Sequence, residues 1–94
     1  MTPQEIAPGA KPRLPRGVRL RHDAVRDEWM LLAPERIVRA NPVAVQVLQR
    51  CTGEATLDEI VDDLAMVFKA ERARIDGDVR ALLAQLATSR MVDL

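Results

Sequence analysis

Hydrophobic and polar positions fall into two regimes along the chain. From Gly17 the residues Val18-Arg19-Leu20-Arg21 alternate with period two, the signature of a strand with one buried face. His22 to Asp27 is a polar connection, and Glu28-Trp29-Met30-Leu31-Leu32-Ala33 is a short apolar run bounded by turn signals, which predicts a more buried strand. Pro34-Glu35 suits the centre of a tight turn, and Arg36-Ile37-Val38-Arg39-Ala40 reads as a third strand. Strands joined by links this short pair as an antiparallel meander.

After Ala40 the period becomes helical. Asn41 can cap the first free amides of a helix and Pro42 is tolerated at its first position. Ala44, Val47, Leu48 and Cys51 follow at i, i+3, i+4 and i+7, giving one apolar face, and Gly53 is placed to cap the C-terminal end. Thr56-Leu57-Asp58-Glu59 is a capping box. Leu57, Ile60, Val61, Leu64, Ala65 and Phe68 then recur at helical spacing, with Asp58, Glu59, Asp62 and Asp63 off that face. Residues 70–75 read as a polar connection. Asp76 or Asp78 is the expected cap of a third helix carrying Val79, Leu82, Leu83, Leu86 and Ala87, and Met91–Leu94 suggests a final short strand. The order is β-β-β-α-α-α, an α+β chain. Packing the helices on one face of the sheet is its simplest closure.

The first 16 residues have neither period. Pro3, Pro8, Pro12 and Pro15 fall there, each removing a backbone donor, so residues 1–16 are expected to form a flexible arm or interdomain linker ahead of a domain at 17–94. At 94 residues the chain is one domain's worth, and folding buries roughly 60–65% of the unfolded surface, enough for one modest core.

Charge and residue inventory narrow the function. Basic and acidic side chains balance at 14 each, but residues 1–22 hold five basic residues against Glu5 alone, and the remainder is mildly acidic. A nucleic-acid binder concentrates its cations on the folded body, whereas here they sit mostly in or beside the arm. One His and one Cys cannot build a structural zinc site or an internal disulfide. No apolar run exceeds five residues, so no transmembrane helix is expected, and the N-terminal MTPQEIAPGAKP lacks the apolar core of a signal peptide. A cytoplasmic location is the expectation.

No residue stands out as a catalyst. His22 has no nucleophile at a recognisable spacing and reads as an exposed loop residue. Cys51, on an apolar helix face, reads as a small buried hydrophobe whose thiol pKa is raised rather than lowered. The carboxylates Asp58, Glu59, Asp62 and Asp63 have the spacing of a solvated helix face, without the turn glycine of a Ca²⁺ loop. Trp29 reads as a core anchor. The inventory favours a small binding module over an enzyme and points to no metal site.

Several segments, in order, resemble the PqqD family: Gly17-Val18-Arg19-Leu20; Asp23 and Arg26; Trp29 to Arg36 (WMLLAPER); Val47 to Gly53 (VLQRCTG); and Thr56 to Leu64 (TLDEIVDDL). The resemblance covers about residues 14–94. Thr52 departs from it, standing where Asp is expected before the glycine. It implies a winged-helix-like fold of a three-stranded antiparallel sheet followed by three helices. It also implies a peptide chaperone of pyrroloquinoline quinone (PQQ) biosynthesis, a recognition element for ribosomally made, post-translationally modified peptides. Such a domain binds the precursor peptide PqqA, presents it to the radical SAM enzyme PqqE, carries no cofactor, and is in some organisms fused behind PqqC. The resemblance further implies that the peptide binds beside the third strand, in a groove against the third helix. Arg36, Ile37, Val38, Arg39 and Ala40 are therefore candidate peptide-binding residues. Asp76, Val79, Arg80, Leu83 and Leu86 of the third helix extend that candidate set by extrapolation.

Two other readings use the same elements. A DNA-binding winged helix needs a basic recognition helix, and the third helix offers Arg80 and Arg90 offset by Asp76 and Asp78. A docking domain of a larger enzyme would bind a protein partner but no short peptide.

Overall fold

The structure, a computed structural model, describes residues 2–94. Strands β1 (Arg19–Asp23), β2 (Glu28–Ala33) and β3 (Arg36–Ala40) form an antiparallel sheet in the order β1-β2-β3. Helices α1 (Pro42–Gln49), α2 (Leu57–Phe68) and α3 (Arg72–Thr88) follow. The expected α+β order, three strands then three helices, is therefore the observed one. Among the described residues no helix is long and apolar enough to cross a membrane.

The pairing register fixes the two faces of the sheet. Leu20 lies opposite Leu31 and Leu31 opposite Val38, so this row shares one face. Leu31 is fully buried in the cluster formed by Val47, Leu48, Leu57, Ile60, Leu64, Val79 and Leu83, so the helices cover that face. The neighbouring rows, Arg19–Leu32–Ile37 and Arg21–Met30–Arg39, stand on the other face.

Local chemistry sets the helix boundaries. The Asn41 side chain accepts from the Ala44 amide at 2.8 Å, and Pro42 opens α1. Helix α1 ends at Gln49 with Arg50 as its C-cap, so Gly53 is not the cap it was expected to be. Gly53 instead sits in the left-handed region (φ 84°), where a Cβ would lie 3.4 Å from that of Arg13. At α2 both halves of the capping box form, and the Glu59 carboxyl is held below its ordinary range by its bonds to the Thr56 backbone and hydroxyl. Helix α3 begins at Arg72, well before the expected Asp76 or Asp78. Two interactions account for the earlier start. Ile75 is buried, and Arg72 bridges Asp58 and Asp62 of α2, which raises its own pKa further. Met91 and Val92 are buried, and the expected final strand is reduced to a bridge between Asp93 and Arg13.

The proline-rich segment departs most from expectation. It does not stand off as an arm. Residues Pro3–Glu5 form a 3-10 turn against α3, Ile6 is buried, and Pro12 is fully buried. The reason lies in the backbone. The segment is poor in donors but keeps every carbonyl, and α2 has orphan amides at its start. Leu57 N–H donates to the Ala10 carbonyl (2.8 Å) and Asp58 N–H to the Pro8 carbonyl (3.1 Å), while Glu59 N–H is taken by the Thr56 hydroxyl. Gly53 N–H donates to the Pro12 carbonyl (3.0 Å). The radius of gyration, 12.7 Å, is that of a folded chain of this length, roughly 12–13 Å.

Candidate functional site

Strand β3 hydrogen-bonds to β2 alone, so its other edge presents unpaired backbone groups. Its side chains are also the most open of the sheet. Arg36, Ile37, Val38 and Arg39 are all exposed, Ile37 at 69%, and Ala40 is half-buried. An exposed β-branched pair between two arginines is an unusual strand to leave uncovered. The arginines discourage sheet-to-sheet association, while the apolar pair and the free edge suit an extended ligand. Helix α1 follows β3 directly, joined to it by Asn41 alone. At the Ala40 end an open hollow of about 620 Å³ separates the sheet from α1, walled by Trp29, Arg39, Ala40, Val45, Gln46 and Gln49 among others.

The α3 half of the expected site is placed differently. Val79, Leu83 and Leu86 are buried core residues, so as folded they line no groove. Their helical spacing is the spacing of a core face, which the structure uses to cover Leu31. Arg80 pairs with Asp76 at 3.0 Å and donates to the carbonyls of Ile6 (2.6 Å) and Pro3 (3.3 Å). Asp76 and Arg80 thus hold the N-terminal segment, and the hollow they border is closed by Pro3 and Gln4, with no β3 residue in its wall. Of the ten residues expected to meet at one groove, the structure brings together the five of β3. The α3 end that does approach β3 is its C-terminal turn. There Ser89, Arg90 and Met91 face Arg36 across a small hollow.

The remaining candidates for chemistry are accounted for. Cys51 is buried, its thiol 3.3 Å from the Val47 carbonyl, and burial pushes its pKa up to about 12. Asp58, Asp62 and Asp63 are all in ion pairs, with Arg72 or Arg50. Among the described residues no cluster of His, Cys, Asp and Glu could hold a metal ion. Trp29 is not the core anchor it was expected to be. It is half-buried and stacks on His22 with ring centroids 4.8 Å apart, while His22 Nε2 lies 2.9 Å from an Asp27 carboxylate oxygen. The hairpin register that places His22 opposite Trp29 is the signal that sequence reading lacked. The DNA-reading alternative finds no support, since Arg80 is neutralised and tied to the N-terminal segment.

Comparison with known proteins bears on the family and the fold. The sequence model of the family described as "Coenzyme PQQ synthesis protein D (PqqD)" matches residues 28–92. A PqqA binding protein of Xanthomonas oryzae pv. oryzae is 44% identical over 89 residues, covering 95% of this chain and 97% of that protein. One from Rhodopseudomonas palustris is 42% identical over 82 residues, covering 87% and 80%. The solution NMR structure of the PqqD truncation of Methylobacterium extorquens PqqCD, described as a functional, stand-alone recognition element for ribosomally synthesised and modified peptides, superposes with a TM-score of 0.83. It is 40% identical, with both chains covered in full. The crystal structure of PqqD from Xanthomonas campestris gives a TM-score of 0.61 at 42% identity, covering 95% of this chain and 99% of that one. The order of strands and helices in this chain therefore coincides with a match over most of its length, and the chain belongs to the PqqD family.

Proposed function

We propose that this protein is a non-catalytic peptide chaperone of PQQ biosynthesis that binds the precursor peptide PqqA and presents it to the radical SAM enzyme PqqE. The observation that carries the reading is the free, apolar, arginine-flanked edge of β3. The similar proteins are described as PqqA binding proteins. In this reading PqqA adds to the sheet as a fourth strand along Arg36–Ala40. Main-chain hydrogen bonds give affinity, and Ile37 and Val38 offer apolar contacts. Arg36 and Arg39 favour acidic residues in the peptide. The neighbouring hollow at Trp29, Val45 and Gln46 takes a side chain that overruns Ala40. The domain works in the cytoplasm, either alone or joined to PqqC, as the name PqqCD of the similar Methylobacterium protein suggests.

A peptide that orders on binding loses part of its gross interaction energy, so a Kd between about 1 nM and 1 µM is expected, roughly −12 to −8 kcal/mol. The test is a titration of isotopically labelled domain with PqqA, read by amide NMR. Shifts concentrated in Arg36–Ala40 and around Trp29, saturating near one equivalent, are the expected result. An unchanged spectrum at about 50 µM peptide, well above that Kd range, refutes it.

A further inference from the structure

Helix α3 closes around an arginine where glycine is the favoured residue. Arg90 N–H donates to the Ala87 carbonyl (3.0 Å) and Met91 N–H to the Leu86 carbonyl (2.8 Å), the bond pair that ends a helix on one left-handed residue. That residue is Arg90, with φ 59°. A side chain strains the backbone in this region, and the fold keeps an arginine there all the same. Met91 is buried beside it, so the turn is fixed while the Arg90 side chain stays exposed.

The turn brings Arg90 to the start of β3. Arg36 lies opposite Ala33, two residues along from the Leu31–Val38 row, so it stands on the helix side of the sheet, whereas Arg39 stands on the outer side. Arg16, Arg36 and Arg90 line one open hollow of about 260 Å³, with Val18, Ala33 and Met91 in its apolar wall. All three arginines are exposed, and among the described residues none forms an ion pair. Glu35, the one carboxylate in the wall, lies within ion-pairing distance of none of them. The hollow therefore carries three cations against one anion, and it opens beside the free edge of β3.

We propose that Arg16, Arg36 and Arg90 form a clamp for one carboxylate side chain of the bound peptide, and that this clamp sets the peptide's register on β3. The inference rests on the proposed function for its ligand and adds the rule by which that ligand is recognised. Main-chain pairing alone specifies no register, because every residue of an extended chain offers the same groups. In an added fourth strand, the side chain opposite Arg36 points to the helix side of the sheet and into this hollow. Guanidinium forks hold a carboxylate in a fixed orientation and reject a lysine or an arginine. The next side chain on that face comes two residues along and meets Val38, which is apolar and 38% exposed. The favoured ligand is thus an extended segment with Asp or Glu two positions from an apolar residue.

The experiment measures PqqA affinity by calorimetry for the wild type, Arg90→Gly and Arg90→Lys, with thermal unfolding followed for each. Arg90→Gly removes the guanidinium and relieves the left-handed backbone, so its midpoint is expected within about 4 °C of the wild type. Its affinity for PqqA is expected to fall about tenfold, and that of Arg90→Lys by less, since Lys keeps the charge without the fork. In parallel, each Asp and Glu of PqqA is replaced in turn by Asn or Gln. One replacement is expected to weaken binding to the wild type about tenfold but binding to Arg90→Gly less than about threefold, the non-additivity of two groups in contact. A fold weakened by Arg90→Gly would not produce that pattern, and Arg16→Gln repeats the cycle with the α3 turn untouched. Unchanged PqqA affinity in Arg90→Gly overturns the clamp and leaves the peptide-chaperone reading standing. Equal losses in wild type and variant for every peptide replacement also overturn it, as does a critical carboxylate with no apolar residue two positions away. A wild-type domain that ignores PqqA overturns the clamp and the peptide-chaperone reading together.

Discussion

Leu83 exposes none of its surface, and its neighbours in the core include Leu31 from the sheet and Leu64 from α2. A leucine at that spacing could either line a groove or fill the core, and the two roles respond oppositely to truncation. As a groove residue, Leu83→Ala would weaken peptide binding and leave the fold intact. As a core residue it removes buried methyls and leaves a cavity, costing about 2–5 kcal/mol. Against the 5–15 kcal/mol that holds a typical domain together, that is a large fraction. Thermal unfolding of Leu83→Ala is expected to show a loss in this range, and peptide affinity measured well below the new midpoint is expected to stay within about threefold. A stable variant that no longer binds peptide would return Leu83 to the groove. Cys51 illustrates the same logic for chemistry: a thiol whose pKa is pushed to about 12 by burial is packing, not a nucleophile.

At the scale of elements, the N-terminal segment behaves as a cap for α2 and a cover for α3. Ile6 is its buried anchor, and Arg80 clamps the two carbonyls around it. Ile6→Ala is expected to cost about 2 kcal/mol or more and to release the bonds to Leu57 and Asp58. Hydrogen exchange at the Leu57 and Asp58 amides reads the second effect directly, and amides as protected as in the wild type would show that the segment is held without Ile6. None of this is legible in the sequence, because a carbonyl that caps a helix far along the chain, as Ala10 does for Leu57 and Pro8 for Asp58, leaves no period and uses no particular side chain. Helix α2 was legible because its signals are local: a capping box and six apolar residues at helical spacing. The start of α3 was not. Asp76 and Asp78 are good caps locally, but the burial of Ile75 and the reach of Arg72 to Asp58 and Asp62 are tertiary facts that outweigh them. The strands lie between these cases. Their period marks β3 as a strand, whereas the use of Val79, Leu83 and Leu86 as core follows from packing.

For the whole molecule, the question is whether the peptide finds its site already built. Strand β3 is held to β2 along its full length, and Leu31 of β2 is buried in the core cluster that also holds residues of all three helices. The edge is therefore preformed, and if PqqA pairs with it as proposed, the ordering on binding falls on the peptide rather than on the domain. A ligand that binds only the folded state stabilises it by mass action, by about 2.7 kcal/mol at a free concentration 100 times its Kd. For a domain of this size each kcal/mol moves the midpoint by roughly 4–8 °C, so PqqA at that excess is expected to raise Tm by about 10 °C or more. The far-UV signal of the domain should change little beyond the strand added by the peptide. The rise should also grow with the logarithm of peptide concentration and vanish with a peptide that cannot pair, such as one N-methylated along its extended stretch, since a strand added at an edge depends on its own amides and carbonyls. A midpoint unmoved by saturating peptide would place the peptide on the unfolded and folded chains alike, which an edge that exists only in the folded sheet does not permit.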